Sequence, residues 1–257
     1  VDNNLVTKLI ILGTSWAVPT PGHDNTHMAI VGQEGTVLID CSGTPSVRLA
    51  EAGIPFESIT DLIVTHFHPD HIGGIPLLLM NMWMLGRQKP LQLYGLHHCL
   101  ERLEDVMGHF HWDNWPNFFP VAFHRLPERE NVLVMEKEQY RVYSTPVRHV
   151  IPTIGLRIEP MGDGRTVAYS CDTEPCPSVV RLAKDADVLI HEATGMIVGH
   201  SSASQAGAIA REAGVSSLLL IHYKTIQDQG KDLIEQAKGT FSGDVALAQD
   251  FMQIEIV

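Results

Sequence analysis

Long apolar runs are missing from this sequence. The most apolar stretch, Ile72 to Gly86, is broken by Gly73, Gly74, Pro76 and Asn81 and is too short to span a bilayer. Val1-Asp2-Asn3-Asn4 has neither the basic nor the apolar region of a signal peptide. No membrane partner is therefore expected. Basic residues are scarce: 18 Lys and Arg stand against 30 Asp and Glu, a formal net charge of −12. That balance opposes non-specific attraction to polyanions, though it leaves room for a local basic patch. Cysteine is scarce as well. Cys41, Cys99, Cys171 and Cys176 show no zinc-knuckle spacing. Cys171 and Cys176 could pair, but reduced thiols in a cytoplasmic protein are the better default. No linker, low-complexity tract or shift in composition divides the 257 residues, and 44% of them are hydrophobic. One domain over residues 1–257 with a sizeable core is expected.

Histidine is plentiful, with 14 residues, and one stretch concentrates it. Thr65-His66-Phe67-His68-Pro69-Asp70-His71 follows the apolar run Asp61-Leu62-Ile63-Val64 and precedes Ile72-Gly73-Gly74-Ile75-Pro76. The run reads as a short buried strand, and the glycines as a turn into an apolar helix. Side chains at such a strand end can converge on one point above a sheet. Imidazole and carboxylate together suit a borderline cation such as Zn²⁺. His66 and His68 can serve one ion, while Asp70 and His71 point at a neighbouring one.

Around this loop the chain alternates. Strands are expected over Leu5–Leu12, His27–Val31 and Thr36–Asp40, the last two as a hairpin about Gln33-Glu34-Gly35. A short helix runs from Cys41-Ser42-Gly43-Thr44-Pro45 to Ala52, with Ser42 or Thr44 as a compatible cap. After the loop come a helix from Ile75 to Leu85, a strand Leu91–Tyr94 and a helix His97–Met107. Residues 109–124 crowd Trp112, Trp115, Phe118, Phe119 and Phe123 around Pro116 and Pro120 and read as an ordered loop. A plug of the local core, a homodimer contact and a substrate-covering lid are its three readings. Strands Val132–Met135, Tyr140–Thr145, Thr153–Ile158 and Thr166–Tyr169 follow. The tail alternates again: helix from Pro177, strand Val188–Ile190, helix Ala203–Ala213, strand Ser217–Ile221, helix Lys231–Gly239 and a closing strand-like Met252–Val257. Each half thus passes from strands to alternating strands and helices, which suits two packed sheets with helices outside.

The His-x-His-x-Asp-His loop resembles the signature of the metallo-β-lactamase-fold hydrolases, whose loop binds a two-metal centre. The resemblance runs from about Leu9 to Phe241 and implies an α/β fold, a four-layer αβ/βα sandwich. It also implies further ligands in a fixed order: a histidine after a strand, a bridging aspartate, and a histidine ending a late strand. His149 after Ser144-Thr145-Pro146-Val147-Arg148, Asp172 in Tyr169-Ser170-Cys171-Asp172-Thr173 and His222 after Leu218-Leu219-Leu220-Ile221 match that order. By this resemblance His66, His68 and His149 hold one divalent ion and Asp70, His71 and His222 the other, with Asp172 between them. Zinc is the expected metal, with manganese or iron as alternatives. Asp40 resembles the family aspartate that hydrogen-bonds a ligand histidine.

His191-Glu192-Ala193-Thr194 and Gly199-His200-Ser201-Ser202 resemble paired motifs of the ribonuclease Z branch. There the second histidine, aided by the glutamate, donates a proton to the leaving group, roles that fall here on His200 and Glu192. Ser201 and Ser202 also suit helix capping, and His191 is expected to be structural. Two departures stand out. Short-form ribonuclease Z proteins insert a tRNA-gripping arm between the histidine and the bridging aspartate, yet His149 and Asp172 are only 23 positions apart. Tyr223-Lys224-Thr225 lacks the expected Ser and Arg pattern, and Lys224 supplies a point charge rather than a fork. The expected substrate is therefore a small or cyclic phosphodiester, a nucleotide ester or an RNA 3′ end, with tRNA disfavoured. Arylsulfatase and lactonase activities on the same fold stay open, as does a metal-stabilised binding protein without turnover. Phe67 stands where oxygen-reducing di-iron relatives carry a glutamate, which argues against redox use.

Overall fold

The computed structural model describes residues 6–226 and 230–257. The expected strand from Leu5 and the Val1-Asp2-Asn3-Asn4 segment therefore begin outside the described residues. Six strands build the first sheet in chain order: β1 (Lys8–Gly13), β2 (His27–Gly32), β3 (Gly35–Ile39), β4 (Ile59–Val64), β5 (Leu91–Leu96) and β6 (Val121–Leu126). Seven build the second: β7 (Val132–Glu136), β8 (Tyr140–Val147), β9 (Thr153–Pro160), β10 (Val167–Tyr169), β11 (Val188–Glu192), β12 (Ser217–Ile221) and β13 (Asp244–Leu247). The last strand, β14 (Gln253–Glu255), returns to the first sheet and pairs antiparallel with β1.

The strands read as continuous apolar runs because both faces of each sheet are covered. Along β1, Leu9 and Ile11 point between the sheets, where they meet Val142, Ile154, Leu156 and Ile221 of the other sheet. Ile10 and Leu12 point outward, onto the side covered by Leu49 of α1 (Pro45–Glu51), Leu78 and Met82 of α3 (Ile75–Met84), and Leu103 of α4 (His97–His109). The short α2 (Pro69–Ile72) lies within the histidine-rich segment that follows β4. On the far side, Leu189, Leu218 and Leu220 pack under α5 (Pro177–Ala183), α6 (Ala203–Ala213) and α7 (Gly230–Lys238). The result is the helix–sheet–sheet–helix sandwich that the resemblance implies.

The echo between the halves is a topological one. β1, β2 and β3 pair antiparallel, after which β4, β5 and β6 continue parallel. β8, β9 and β10 do the same, followed by parallel β11, β12 and β13. Each sheet therefore changes pairing sense once, after β3 and after β10. Asp40 follows the first of these strands, and Cys171 and Asp172 lie just beyond the second. Open α/β sheets place their ligands at the carboxyl ends of strands near such a switch.

Three expectations need correction. The aromatic segment is not a loop throughout: a single 3₁₀ turn spans Trp112–Asn114, and residues from Val121 join the first sheet as β6. Proline and the dense aromatics concealed a strand whose partner, β5, lies far back in sequence. Phe119 is buried, and Trp112, Trp115, Phe118 and Phe123 pack against the outer core, with the Trp83 and Trp115 rings stacked 4.9 Å apart. β13 was not expected either, since Asp244 leaves this strand an apolar run of only three residues. Finally, neither Ser42 nor Thr44 caps α1. Thr44 occupies the cap position without a side-chain bond, and the Ser42 hydroxyl donates to the Asp70 carbonyl instead. The four cysteines are free.

Candidate metal centre

The connecting segments at the carboxyl ends of the strands carry the candidate ligands to one place. Asp40, Cys171 and His222 each sit at or just past a strand end with left-handed φ values of 59°, 53° and 51°. Such a conformation is costly for these residues and persists where the surroundings over-determine it. At these positions it turns the chain sharply off the sheet.

His66, His68 and His149 come together with Asp172. His66 Nε2 and His149 Nε2 each lie 3.1 Å from His68 Nδ1. Asp70, His71 and His222 form a second group. His71 Nε2 lies 3.6 Å and His222 Nε2 3.4 Å from Asp70 Oδ2. One oxygen of Asp172 faces both groups: Oδ2 is 3.9 Å from His66 Nε2, 3.6 Å from His71 Nε2 and 3.5 Å from His222 Nε2. Tetrahedral ligands about 2.0–2.2 Å from one ion stand roughly 3.3–3.6 Å apart, and the separations here, from 3.1 to 3.9 Å, bracket that range. His71 Nε2 and Asp172 Oδ1 are buried with no hydrogen-bond partner among the described residues. Unpartnered buried polar atoms are costly, and a bound cation is the kind of partner that would satisfy them. The residues present therefore fit a pair of divalent ions.

Electrostatics point the same way. Burial pulls the His66 imidazole well below its ordinary range, and its histidine neighbours add to that. Burial likewise lowers His68 and His149. These rings are neutral at pH 7 and offer lone pairs. Burial alone would raise Asp172, but His222 and His71 beside it hold the carboxyl well below the usual range. Burial also pulls against His71, yet Asp172 and Asp40 outweigh it and raise its affinity for a proton. A site that favours a proton at that nitrogen favours a metal cation there.

Each of these histidines except His68 has its remote nitrogen fixed. His71 Nδ1 donates to Asp40 Oδ2 at 2.8 Å and His149 Nδ1 to the Gly199 carbonyl at 2.6 Å. Thr65 and Thr194 hydroxyls face His66 Nδ1 and His222 Nδ1 at 3.1 and 2.8 Å. Sequence reasoning anticipated Asp40 and missed Gly199, Thr65 and Thr194. Their only signal was adjacency: Thr65 heads the metal loop, while Thr194 and Gly199 flank the segment before His200. Gly199 has φ +83°, and a Cβ there would meet His149 Nδ1 at 2.8 Å and Val150 Cγ1 at 2.9 Å. Gly199→Ala is expected to leave the protein folded and weaken metal binding about 10–100-fold, the usual cost of losing a ligand's outer partner. Metal titration beside a thermal melt checks this; unchanged affinity would show that the carbonyl contact is dispensable.

Glu192 and His200 lie beside the candidate ligands. The buried Glu192 Oε1 accepts from Thr173 N (3.0 Å), Ser201 N (3.1 Å) and His200 Nδ1 (2.9 Å), and Oε2 from Thr194 N (3.0 Å). Burial opposes a charge on His200, but the Glu192 hydrogen bond and charge outweigh it and raise the imidazole above its ordinary value. His200 Nδ1 is also 3.9 Å from Asp172 Oδ2. Ser202 caps α6, in a capping box with Gln205. His191 is buried, bonds the Glu192 carbonyl and belongs to none of the ligand clusters.

Fold and site together define a metal-dependent hydrolase of the metallo-β-lactamase fold, in its ribonuclease Z-like phosphodiesterase branch. Among solved structures, YhfI of Bacillus subtilis superposes with a TM-score of 0.81 at 22% identity, over 97% of this chain and 99% of that one. The human short form of tRNase Z gives 0.76 at 25% identity, over 97% and 99%. A family model described as anti-Pycsar protein Apyc1 matches residues 7–242, and the chain belongs to that family. Ribonuclease Z of Methanothermobacter thermautotrophicus is 31% identical over 97% of this chain and 96% of the relative, and that of Myxococcus xanthus 29% over 97% of each. The first alignment spans 309 positions, more than the 257 residues here, so the relative carries residues that this chain skips. No helix among the described residues is long and apolar enough to cross a membrane.

Proposed function

We propose that the chain, acting as one domain, is a two-metal phosphodiesterase for small or cyclic phosphodiesters. One observation carries the choice of substrate. Between His149 and Asp172 the chain holds only β9, β10 and their short connections, so the place of a tRNA-gripping arm is taken by a tight turn. His66, His68 and His149 would hold one ion, Asp70, His71 and His222 the other, and Asp172 both. The donor set favours zinc over manganese or iron. Such a pair lowers the pKa of a shared water towards neutrality and clamps the oxygens of a phosphoryl centre. The remaining work belongs to the chain's own groups. Glu192 holds the His200 ring through Nδ1, and His200 delivers a proton to the leaving oxygen. The peptide N–H groups of Thr173, Ser201 and Thr194 fix the Glu192 carboxylate in turn.

The second reading, a tRNA 3′-processing endoribonuclease, is favoured by the ribonuclease Z relatives. A panel of bis-p-nitrophenyl phosphate, a cyclic nucleotide, precursor tRNA, an aryl sulfate and a lactone separates these activities and a non-catalytic binding protein. The small phosphodiesters are expected to turn over. Precursor tRNA is expected to bind weakly, losing less than about tenfold in affinity between 50 and 200 mM salt because few phosphates are neutralised. A steep salt dependence with accurate 3′ cleavage would restore the ribonuclease assignment.

A further inference from the structure

Two threonine hydroxyls at the site are placed alike. Thr65 Oγ1 lies 2.7 Å from Asp40 Oδ2 and 3.1 Å from His66 Nδ1. Thr194 Oγ1 lies 2.9 Å from the His222 carbonyl oxygen and 2.8 Å from His222 Nδ1. Both threonines are buried. A hydroxyl has one proton to give and lone pairs to accept with. The carboxylate and the carbonyl can only accept, so the proton of each threonine is committed to them. The opposite arrangement would leave two oxygens in contact with no proton between them. The threonine lone pairs must therefore face the rings, and each ring must carry its own proton on Nδ1. With Nδ1–H fixed in this way, Nε2 is the nitrogen left to a metal; without one, His222 Nε2 can hold a second proton toward Asp70 Oδ2, 3.4 Å away.

We propose that Thr65 and Thr194 are positioning residues that set the tautomers of His66 and His222, one in each ligand group. His71 and His149 need no such relay, because Asp40 and the Gly199 carbonyl are acceptors already. His68 turns Nδ1 itself toward the group. Cys171 Sγ, 3.5 Å from His66 Nδ1, is a weaker second acceptor on that ring. The topology repeats the device. β4 and β11 hold the same place in their sheets, first after the switch in pairing, and Thr65 and Thr194 follow them. Chain order alone separates the two: Thr65 acts on the residue after it, Thr194 on a ring from the neighbouring β12.

The consequence for metal affinity rests on the two-metal reading above, whereas the tautomer assignment does not. Imidazole ¹⁵N–¹H correlation spectra of metal-free, ¹⁵N-labelled protein read the tautomers directly. Wild type is expected to show Nδ1–H at both rings. Thr194→Val, nearly isosteric, should shift His222 towards Nε2–H and leave His66 alone, and Thr65→Val should do the reverse. Titration with Zn²⁺ should then show one of two sites weakened about 10–100-fold, with Thr194→Ser and Thr65→Ser restored to wild type. Absence of Nδ1–H at either ring in the wild-type spectrum overturns the proposal whether or not the variants fold. So does a serine variant that behaves like its valine counterpart, since packing and not the hydroxyl would then be the cause. Wild-type protein that binds no Zn²⁺ would refute the two-metal reading and leave the spectra to decide the tautomers.

Discussion

Asp172→Ala is expected to lower phosphodiester turnover by well over the about 10–100-fold that loss of an outer partner costs, because the proposed centre would lose its metal. Asp172 Oδ2 stands within 3.9 Å of nitrogens from both ligand groups. No other carboxylate among the described residues faces both. Without it, His66, His71 and His222 keep their positions but lose the charge that offsets two divalent cations, and neighbouring cations repel. Elemental analysis should find fewer than two ions per chain in the variant, against close to two in wild type. Dialysis of wild type against a strong chelator should abolish activity, and added Zn²⁺ should restore it. Full activity after chelation, or in the alanine variant, would reject the two-metal assignment.

The second large effect depends on the substrate. An alkoxide is a poor leaving group at neutral pH, and a proton delivered in the transition state contributes about 10²–10⁴-fold. Nitrophenolate departs without one. His200→Ala should therefore slow alkyl or ribose phosphodiesters by about that factor and bis-p-nitrophenyl phosphate only mildly, with metal content unchanged. Glu192→Gln should show the same pattern to a smaller degree on the alkyl esters, because the imidazole remains but its negatively charged partner is gone. Since Glu192 also accepts from three peptide N–H groups, some loss of thermal stability should accompany it. Equal losses on both substrates, or loss of metal from the His200 variant, would place His200 among the ligands or in the framework instead. Its 3.9 Å approach to Asp172 makes that a fair test.

Local signals made much of this legible before any coordinates. The metal loop carries His66, His68, Asp70 and His71 in one short stretch, and β4 ahead of it is an apolar run that can only be buried. The sandwich followed from the passage in each half from strands to alternating strands and helices, and strands such as β1 and β12 are apolar on both faces because helices cover one side and the other sheet the other. His149, Asp172 and His222 were harder, since one polar residue at a strand end looks like any surface residue; order along the chain gave them meaning. What stayed hidden were relations between distant residues. Nothing local marks Gly199 as the carbonyl partner of His149, because that bond joins segments 50 positions apart. The polar Asp244 concealed β13, and the aromatic run before it concealed β6. Thr44 shows the opposite failure: a good capping residue in the capping position, in a segment whose hydroxyl work falls to Ser42.

The return of β14 to the edge of the first sheet ties the chemistry to the order of synthesis. β1 leaves the ribosome well before β14, and its outer edge stays unpaired until β14 emerges. Lys8 must wait for Glu255, and Ile10 for Gln253. Every candidate ligand, from His66 to His222, is available before that edge is closed. A nascent chain thus holds its full reactive set while still offering an open strand to any neighbour, the condition under which edge-to-edge aggregation competes with folding. Shortening the chain before β14 would therefore show itself first in the yield of dispersed protein, with the residues of the metal centre all still in place.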